Sequence, residues 1–221
     1  MESLKISSVV SCHICPIRFI LEQNKKSSNE PENYTIAKQI SNHLGEEILP
    51  DDIWDEIKII NPEISSEYYE LYKTWVDNCR LSKWSAASQN DVKVSSKKLG
   101  IHGTADRYFD SKPHLALTRL SPAPKTGIYK ADRVRCACFS LCARESPGID
   151  ANEIILEYIP SGISKICTVS PRDRRDALSA IRMAKKIMAG KIPTKHKNLP
   201  CDTCYLKDTC TKGPVKLSEL I

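Results

Sequence analysis

The apolar positions fall into stretches of two different periods, and these divide the chain into elements. From Tyr34 to about Leu44, Ile36, Ile40 and His43 sit at i, i+4 and i+7, which predicts a helix. Pro50, Asp51 and Asp52 read as a helix start, and Tyr68, Tyr72, Trp75 and Cys79 repeat at helical spacing. The acidic section from Asp51 to Asn78 is therefore expected to be helical. The period then shortens to two. Val92 and Val94 alternate with polar neighbours, Leu99 to His102 leads into a strand from Thr104 to Phe109, and Leu115 to Leu120 makes the next one. Pro122 and Pro124 open a loop ending near Gly127. Asp132 is placed to cap a helix that runs to about Glu145, with Val134, Cys138, Leu141 and Cys142 on one stripe. Ile154 to Ile159 and Lys165 to Val169 read as a hairpin. Ser170 and Pro171 then start a helix from about Arg172 to Ala189, which Gly190 ends. Before all of these, Val9 to Glu22 holds two cysteines and a short helical run, Arg18 to Leu21, followed by a polar linker from Asn24 to Asn33. The order is helices, three strands, helix, two strands, helix and a Cys-rich tail. It predicts an α/β fold around a small mixed sheet, in a single domain spanning 1–221.

With 221 residues and 41% apolar content the chain can build a core, which excludes global disorder. No apolar run approaches the ~18 residues of a membrane span, and the first residues lack the apolar stretch of a secretory signal. The expectation is a cytoplasmic protein with no membrane partner. The net charge of +6 is unevenly spread. From Gly45 to Glu70 nine acids face one base, whereas from Pro171 to Pro200 nine bases face two acids. A basic C-terminal face suits a polyanion such as nucleic acid, and it suits a solvated helix surface equally well.

Ten cysteines without a secretory signal point to metal binding or burial before disulfides. The tail reads CDTCYLKDTC, with Cys201, Cys204 and Cys210 in a C-x2-C-x5-C spacing, and the N-terminal region adds Cys12 and Cys15. Three tail thiolates plus one from elsewhere make a four-thiolate centre. Zinc would take Cys12, Cys15, Cys201 and Cys204. A [4Fe–4S] cluster would take the three tail cysteines and one from the N-terminal pair, and spacing alone does not separate the two. Either centre staples the chain ends together as a module formed by about 9–22 and 191–212. Cys79, Cys136, Cys138, Cys142 and Cys167 lie on predicted helices and strands and are expected to be core residues.

Taken together, CPIR (Cys15 to Arg18), GTADRYF, the helix DRVRCACFSLCARE, IMAGKIPTKH and the final C-x2-C-x5-C resemble the CRISPR-associated RecB-like iron–sulfur exonucleases, which are related to the nuclease domains of AddB and Dna2-type enzymes. The likeness runs from about Val9 to Cys210. It implies a PD-(D/E)xK (restriction-endonuclease-like) core and a [4Fe–4S] cluster on Cys15, Cys201, Cys204 and Cys210. It also implies Mg²⁺- or Mn²⁺-dependent action on DNA, typically single-stranded ends, beside the CRISPR integrase complex during spacer acquisition.

Residue by residue, the resemblance assigns metal and catalytic roles to His43 (in IAKQISNHLGE) and to Asp106 (in HGTAD). The family's Glu-x-Lys falls on Thr118 and Leu120, which flank Arg119, and its Gln-x-x-x-Tyr falls on Arg135 and Phe139. Thr118 is neutral and a poor Mg²⁺ ligand, and one Asp plus one His is a thin set for a hard cation, which needs oxygen ligands. Asp110 or Asp132 could supply a displaced carboxylate. Arg119, Lys125, Lys130, Arg133 and Arg135 add positive charge around the same place, which favours holding phosphate over cutting it. Three readings follow: an iron–sulfur nuclease-fold protein with impaired catalysis that acts on DNA ends, an active exonuclease with displaced ligands, and a zinc-stapled nucleic-acid-binding module.

Overall fold

The computed structural model describes residues 3–24, 30–193, 201–202 and 204–210. Strand β3 (Ile101–Tyr108) organises the sheet. One edge pairs along its length with antiparallel β2 (Gln89–Ser96). The other edge is shared by two strands. β1 (Leu4–Lys5) runs parallel to it at Leu4↔Ile101 and Lys5↔His102, and β4 (Leu115–Arg119) runs antiparallel at Arg107↔Ala116 and Tyr108↔Leu115. Between these two short ladders, the edge of β3 from Gly103 to Asp106 is left to side chains. β5 (Glu153–Tyr158) continues the sheet parallel to β4, and β6 (Ile163–Thr168) completes it antiparallel to β5. The sheet is mixed and six-stranded, as the alternation of periods predicts, with β1 added.

Two apolar cores flank this sheet. Helices α1 (Ile6–Ile14), α6 (Lys130–Ala143) and α7 (Pro171–Met188) pack on one face, burying Val9, Val10, Phe139 and Ile181 against Ile101, Leu117 and Leu156. The short α2 (Pro16–Gln23) follows α1 directly, and Pro16 presets its first turn. The second core joins α3 (Glu32–Asn42), α4 (Pro50–Ile60) and α5 (Tyr68–Arg80) through Ile36, Ile40, Ile53, Ile57, Tyr72 and Val76, with Ile159 from a 3-10 turn. All three tryptophans of the chain, Trp54, Trp75 and Trp84, belong to this second core. Trp54 stacks near Tyr69 and Tyr72, at centroid distances of 5.1 and 5.0 Å. The 3-10 turn meets α5 so closely that a Cβ at Gly162 would lie 2.1 Å from the Asn78 carbonyl oxygen, and Gly162 also has φ of 58°. Only glycine satisfies both conditions.

The structure corrects the element reading in three places. The acidic section is two helices rather than one. Pro62 has no N–H to donate and forces Asn61 out of helical geometry, so 61–67 separates α4 from α5. Asp132 is not an N-cap: α6 begins at Lys130 after Tyr129, and Asp132 lies inside its first turn, buried. The N-terminal stretch is helical from Ile6, well before Arg18. Parts of the linker Asn24–Asn33 and of the 191–212 module, along with the KIPTKH segment from 194 onward, lie outside the described residues.

Candidate active-site cleft

Where β4 leaves β3, side-chain bonds take over from the main-chain ladder. Asp106 of β3 is 9% exposed and accepts the Thr118 N–H on Oδ2 at 2.8 Å. Its Oδ1 lies 3.2 Å from Nζ of Lys38, which helix α3 carries over the fork. Lys38 also donates to the Asp106 carbonyl oxygen at 3.3 Å and pairs with Asp91 Oδ1 at 2.7 Å. Asp91 falls opposite Asp106 on β2, between the pairs Asn90↔Arg107 and Val92↔Ala105, and holds a left-handed φ of 58°. An ammonium group therefore sits among three oxygens of two facing aspartates.

One turn further along α3, the Ser41 hydroxyl accepts from Thr118 Oγ1 at 2.8 Å and donates to Glu157 at 3.3 Å. Glu157 stands in register with Thr118 on the neighbouring strand β5. It is 1% exposed and pairs with Arg107 at 2.7 Å, and Arg107 also donates to the carbonyls of Leu44 and Ser85. Burial pushes the Glu157 carboxyl above its ordinary value, against the pull of Arg107. A carboxylate is thus present beside the Thr118 position, one strand over, but it is committed to a buried ion pair.

A cavity of about 650 Å³ opens from this fork, with Asp106, Thr118, Arg119, Arg135 and Tyr34 among its lining residues and Leu117, Phe139 and Ile6 as its apolar wall. Arg119 and Arg135 approach the same oxygen of Asp132, at 2.7 and 4.0 Å. The Tyr158 hydroxyl donates to the other oxygen at 3.0 Å. Burial, reinforced by the Arg119 charge, pushes the Arg135 guanidinium down to about 10. Burial and then the Asp106 charge push the Tyr34 hydroxyl up to about 12.

Of the residues singled out from sequence, Asp106, Arg119 and Arg135 come together here. His43 does not line the cavity. It ends α3, with Nε2 2.7 Å from Glu56 of α4. Arg133 turns away to α7, where it grips Asp173 at 2.7 and 2.9 Å. Lys130 faces His13, whose pKa is lowered by burial and by the Lys130 charge, and Lys125 is exposed in the loop after β4. Neither displaced-carboxylate candidate lines the cavity: Asp110 is exposed and accepts from Ser88 at 2.6 Å, and Asp132 is buried against the arginines. Sequence reading missed Lys38, Ser41 and Glu157. A charged residue inside the apolar run of β5 was the one available signal, and nothing in the pattern of α3 marks Lys38.

Among the described residues, no three of His, Cys, Asp or Glu gather as a metal site. A divalent ion at Asp106 needs several oxygen ligands, and both carboxylate oxygens are taken while Lys38 stands among them. The side chains as arranged do not fit Mg²⁺ or Mn²⁺.

The cysteines divide by burial. Cys15 caps α2, its Sγ accepting the Arg18 N–H at 3.5 Å, and is partly exposed like Cys201, Cys204 and Cys210. The tail packs on α2: Leu206 is buried, the Tyr205 hydroxyl donates to Glu22 at 2.5 Å, and the Arg18 guanidinium lies 4.9 Å from the Tyr205 ring centre. Cys204 thus comes near enough to Arg18 to act on its charge, while among the described residues the four cysteines do not gather as a metal site. Cys12 is buried, and burial together with the neighbouring Cys15 pushes its thiol up to about 11. Cys79, Cys136, Cys138, Cys142 and Cys167 are buried.

No family model and no curated protein matches the chain. A solved structure from Eubacterium rectale, described as a candidate exonuclease, aligns over 99% of this chain and 92% of its own, with a TM-score of 0.60 at 12% identity. The chain has that protein's fold. No helix among the described residues is long and apolar enough to cross a membrane.

Proposed function

We propose that this chain is a nuclease-fold protein that holds DNA ends and cleaves them poorly or not at all. The observation that carries this reading is the fork at Asp106. Lys38 fills the place where a metal would meet the carboxylate, and Thr118 stands where a second acidic ligand is needed. Two guanidiniums remain directed at the cavity. Such a site attracts phosphate without generating the hydroxide that hydrolysis requires.

The cysteine motif extends the reading to a [4Fe–4S] cluster on Cys15, Cys201, Cys204 and Cys210. Among the described residues these four side chains do not gather as a metal site, so the donor set rests on the C-x2-C-x5-C spacing, on their partial exposure, and on the burial that resists forming the Cys12 thiolate. A bound cluster would supply a covalent tie between the chain ends. The resemblance of GTADRYF and the cysteine framework to CRISPR-associated exonucleases points to a role beside the integrase complex in spacer acquisition.

The test follows binding and cleavage of end-labelled single-stranded DNA together, in Mg²⁺ and in Mn²⁺. The expected result is binding without cleavage. Lys38→Met should gain Mn²⁺ binding by calorimetry, because it frees the oxygens of Asp91 and Asp106. Metal-dependent cleavage by the wild type that Asp106→Ala abolishes would overturn the impaired-catalysis reading.

A further inference from the structure

The two arginines of the cleft face the cavity with more charge than the protein neutralises. Arg119 lies 2.7 Å and Arg135 4.0 Å from a single oxygen of Asp132, so one carboxylate serves two guanidiniums. That carboxylate is further occupied by Tyr158. The Nε atoms of both arginines are buried on the Asp132 side, which leaves the terminal guanidinium nitrogens as the donors nearest the cavity. Two guanidiniums that share one carboxylate beside a cavity favour an anion that completes them. Beside the arginines the cavity lining is apolar at Ile6, Leu117 and Phe139, with Tyr34 also lining it, and its acidic residues are Asp106 and Glu30. Its volume, about 650 Å³, suits a group the size of a nucleotide.

The number of acceptor oxygens separates the possible anions. A phosphodiester inside a strand offers two free oxygens. A terminal phosphomonoester offers three, with close to two negative charges at neutral pH. Two guanidinium forks match the second better, each taking a pair of oxygens with one oxygen shared.

We propose that the Arg119–Arg135 pair binds the terminal phosphate of a DNA strand, with the last nucleotide against Phe139, Leu117 and Tyr34. This assignment rests on the DNA-end reading and sharpens it: the protein recognises a phosphorylated end and discriminates against a hydroxyl end. The source of the phosphate, a 5′ end, a 3′ end or a free nucleotide, is left to the arms of the test.

The experiment uses the full chain and fluorescence anisotropy with short single strands of one sequence carrying a 5′-phosphate, a 3′-phosphate or neither, and with thymidine monophosphate as competitor. One phosphorylated strand should bind about tenfold tighter than the hydroxyl strand, the worth of one or two charge-assisted bonds. Arg135→Gln should reduce that preference to within about twofold. This variant keeps the closer Arg119–Asp132 pair and the Tyr158 bond, and circular dichroism checks its fold. Inorganic phosphate should compete with the phosphorylated strand and not with the hydroxyl strand, which tests the pocket without any mutation. Equal affinity for all three strands would overturn the inference and leave the DNA-end reading standing. A preference that persists in a folded Arg135→Gln would place the phosphate elsewhere and overturn it too. Binding of thymidine monophosphate but of no strand would support the pocket and remove the DNA-end reading.

Discussion

At the scale of single residues, the fork around Asp106 and Glu157 is a set of charges that have found partners within the protein. Arg107 and Glu157 are both almost fully buried and lie 2.7 Å apart. Removing one member of such a pair strands the other, so Arg107→Met should cost ~3–5 kcal/mol of stability, read from urea unfolding. The double variant Arg107→Met with Glu157→Leu should lose clearly less than the sum of the single losses, since no unpaired charge remains. Strict additivity of the two would mean that the pair is not coupled. Lys38 is engaged differently. It holds two facing aspartates that would otherwise repel each other, and it can be displaced because its partners line a cleft rather than a core. The same residue therefore relieves local repulsion and occupies the space between the two carboxylates.

At the scale of elements, α7 shows how a helix start can also serve the sheet. Ser170 and Asp173 form a reciprocal capping box, and Asp173 also receives Arg133 from α6. Burial raises the pKa of Asp173, but the bonds from Arg133 and Ser170 outweigh it and hold the carboxyl below its ordinary value. The stability it contributes is complete above the unfolded aspartate value of ~3.9 and is lost as pH falls through the lower folded value. Asp173→Asn should cost roughly 1–2 kcal/mol at neutral pH and should flatten the fall in Tm below about pH 4. An unchanged acid limb would reassign that stability to other carboxylates. The helix start at Ser170 and Pro171, the hairpin of β5 and β6, and the α6 and α7 stripes were legible in the sequence because local pattern decides them. β1 was not, because a two-residue strand carries no period and exists only through its pairing with β3. The break at Pro62 was legible and was overridden by the helical recurrence on either side of it. Asp106, Arg119 and Arg135 were found from motif positions. Lys38 and Glu157 were not, since their roles arise from the crossing of α3 over β4 and from the parallel register of β5. Arg133 and Lys130 share a helix with Arg135 but leave from its other side, and a count of charges along the chain does not record that difference.

At the scale of the whole molecule, the chain ends meet on α2, where Tyr205 and Leu206 dock beside the cysteine that caps it. If a cluster ties them, anaerobically purified protein should be brown and should absorb in the visible. Cys15→Ala should abolish that absorbance and lower the thermal midpoint, whereas Cys12→Ala should leave the colour intact. Colour lost in Cys12→Ala and kept in Cys15→Ala would exchange the two assignments, and a colourless zinc-bearing protein would favour the zinc staple. The two cores have a separate consequence, set by where the indoles lie. Trp54, Trp75 and Trp84 all belong to the core of α3, α4 and α5, so the indole emission of this protein, excited apart from tyrosine, is an optical label for one layer alone. The layer of α1, α6 and α7 is silent at that wavelength. A strand end in the cleft would touch both layers, the labelled one through Tyr34 of α3 and the silent one through Arg135 and Phe139 of α6.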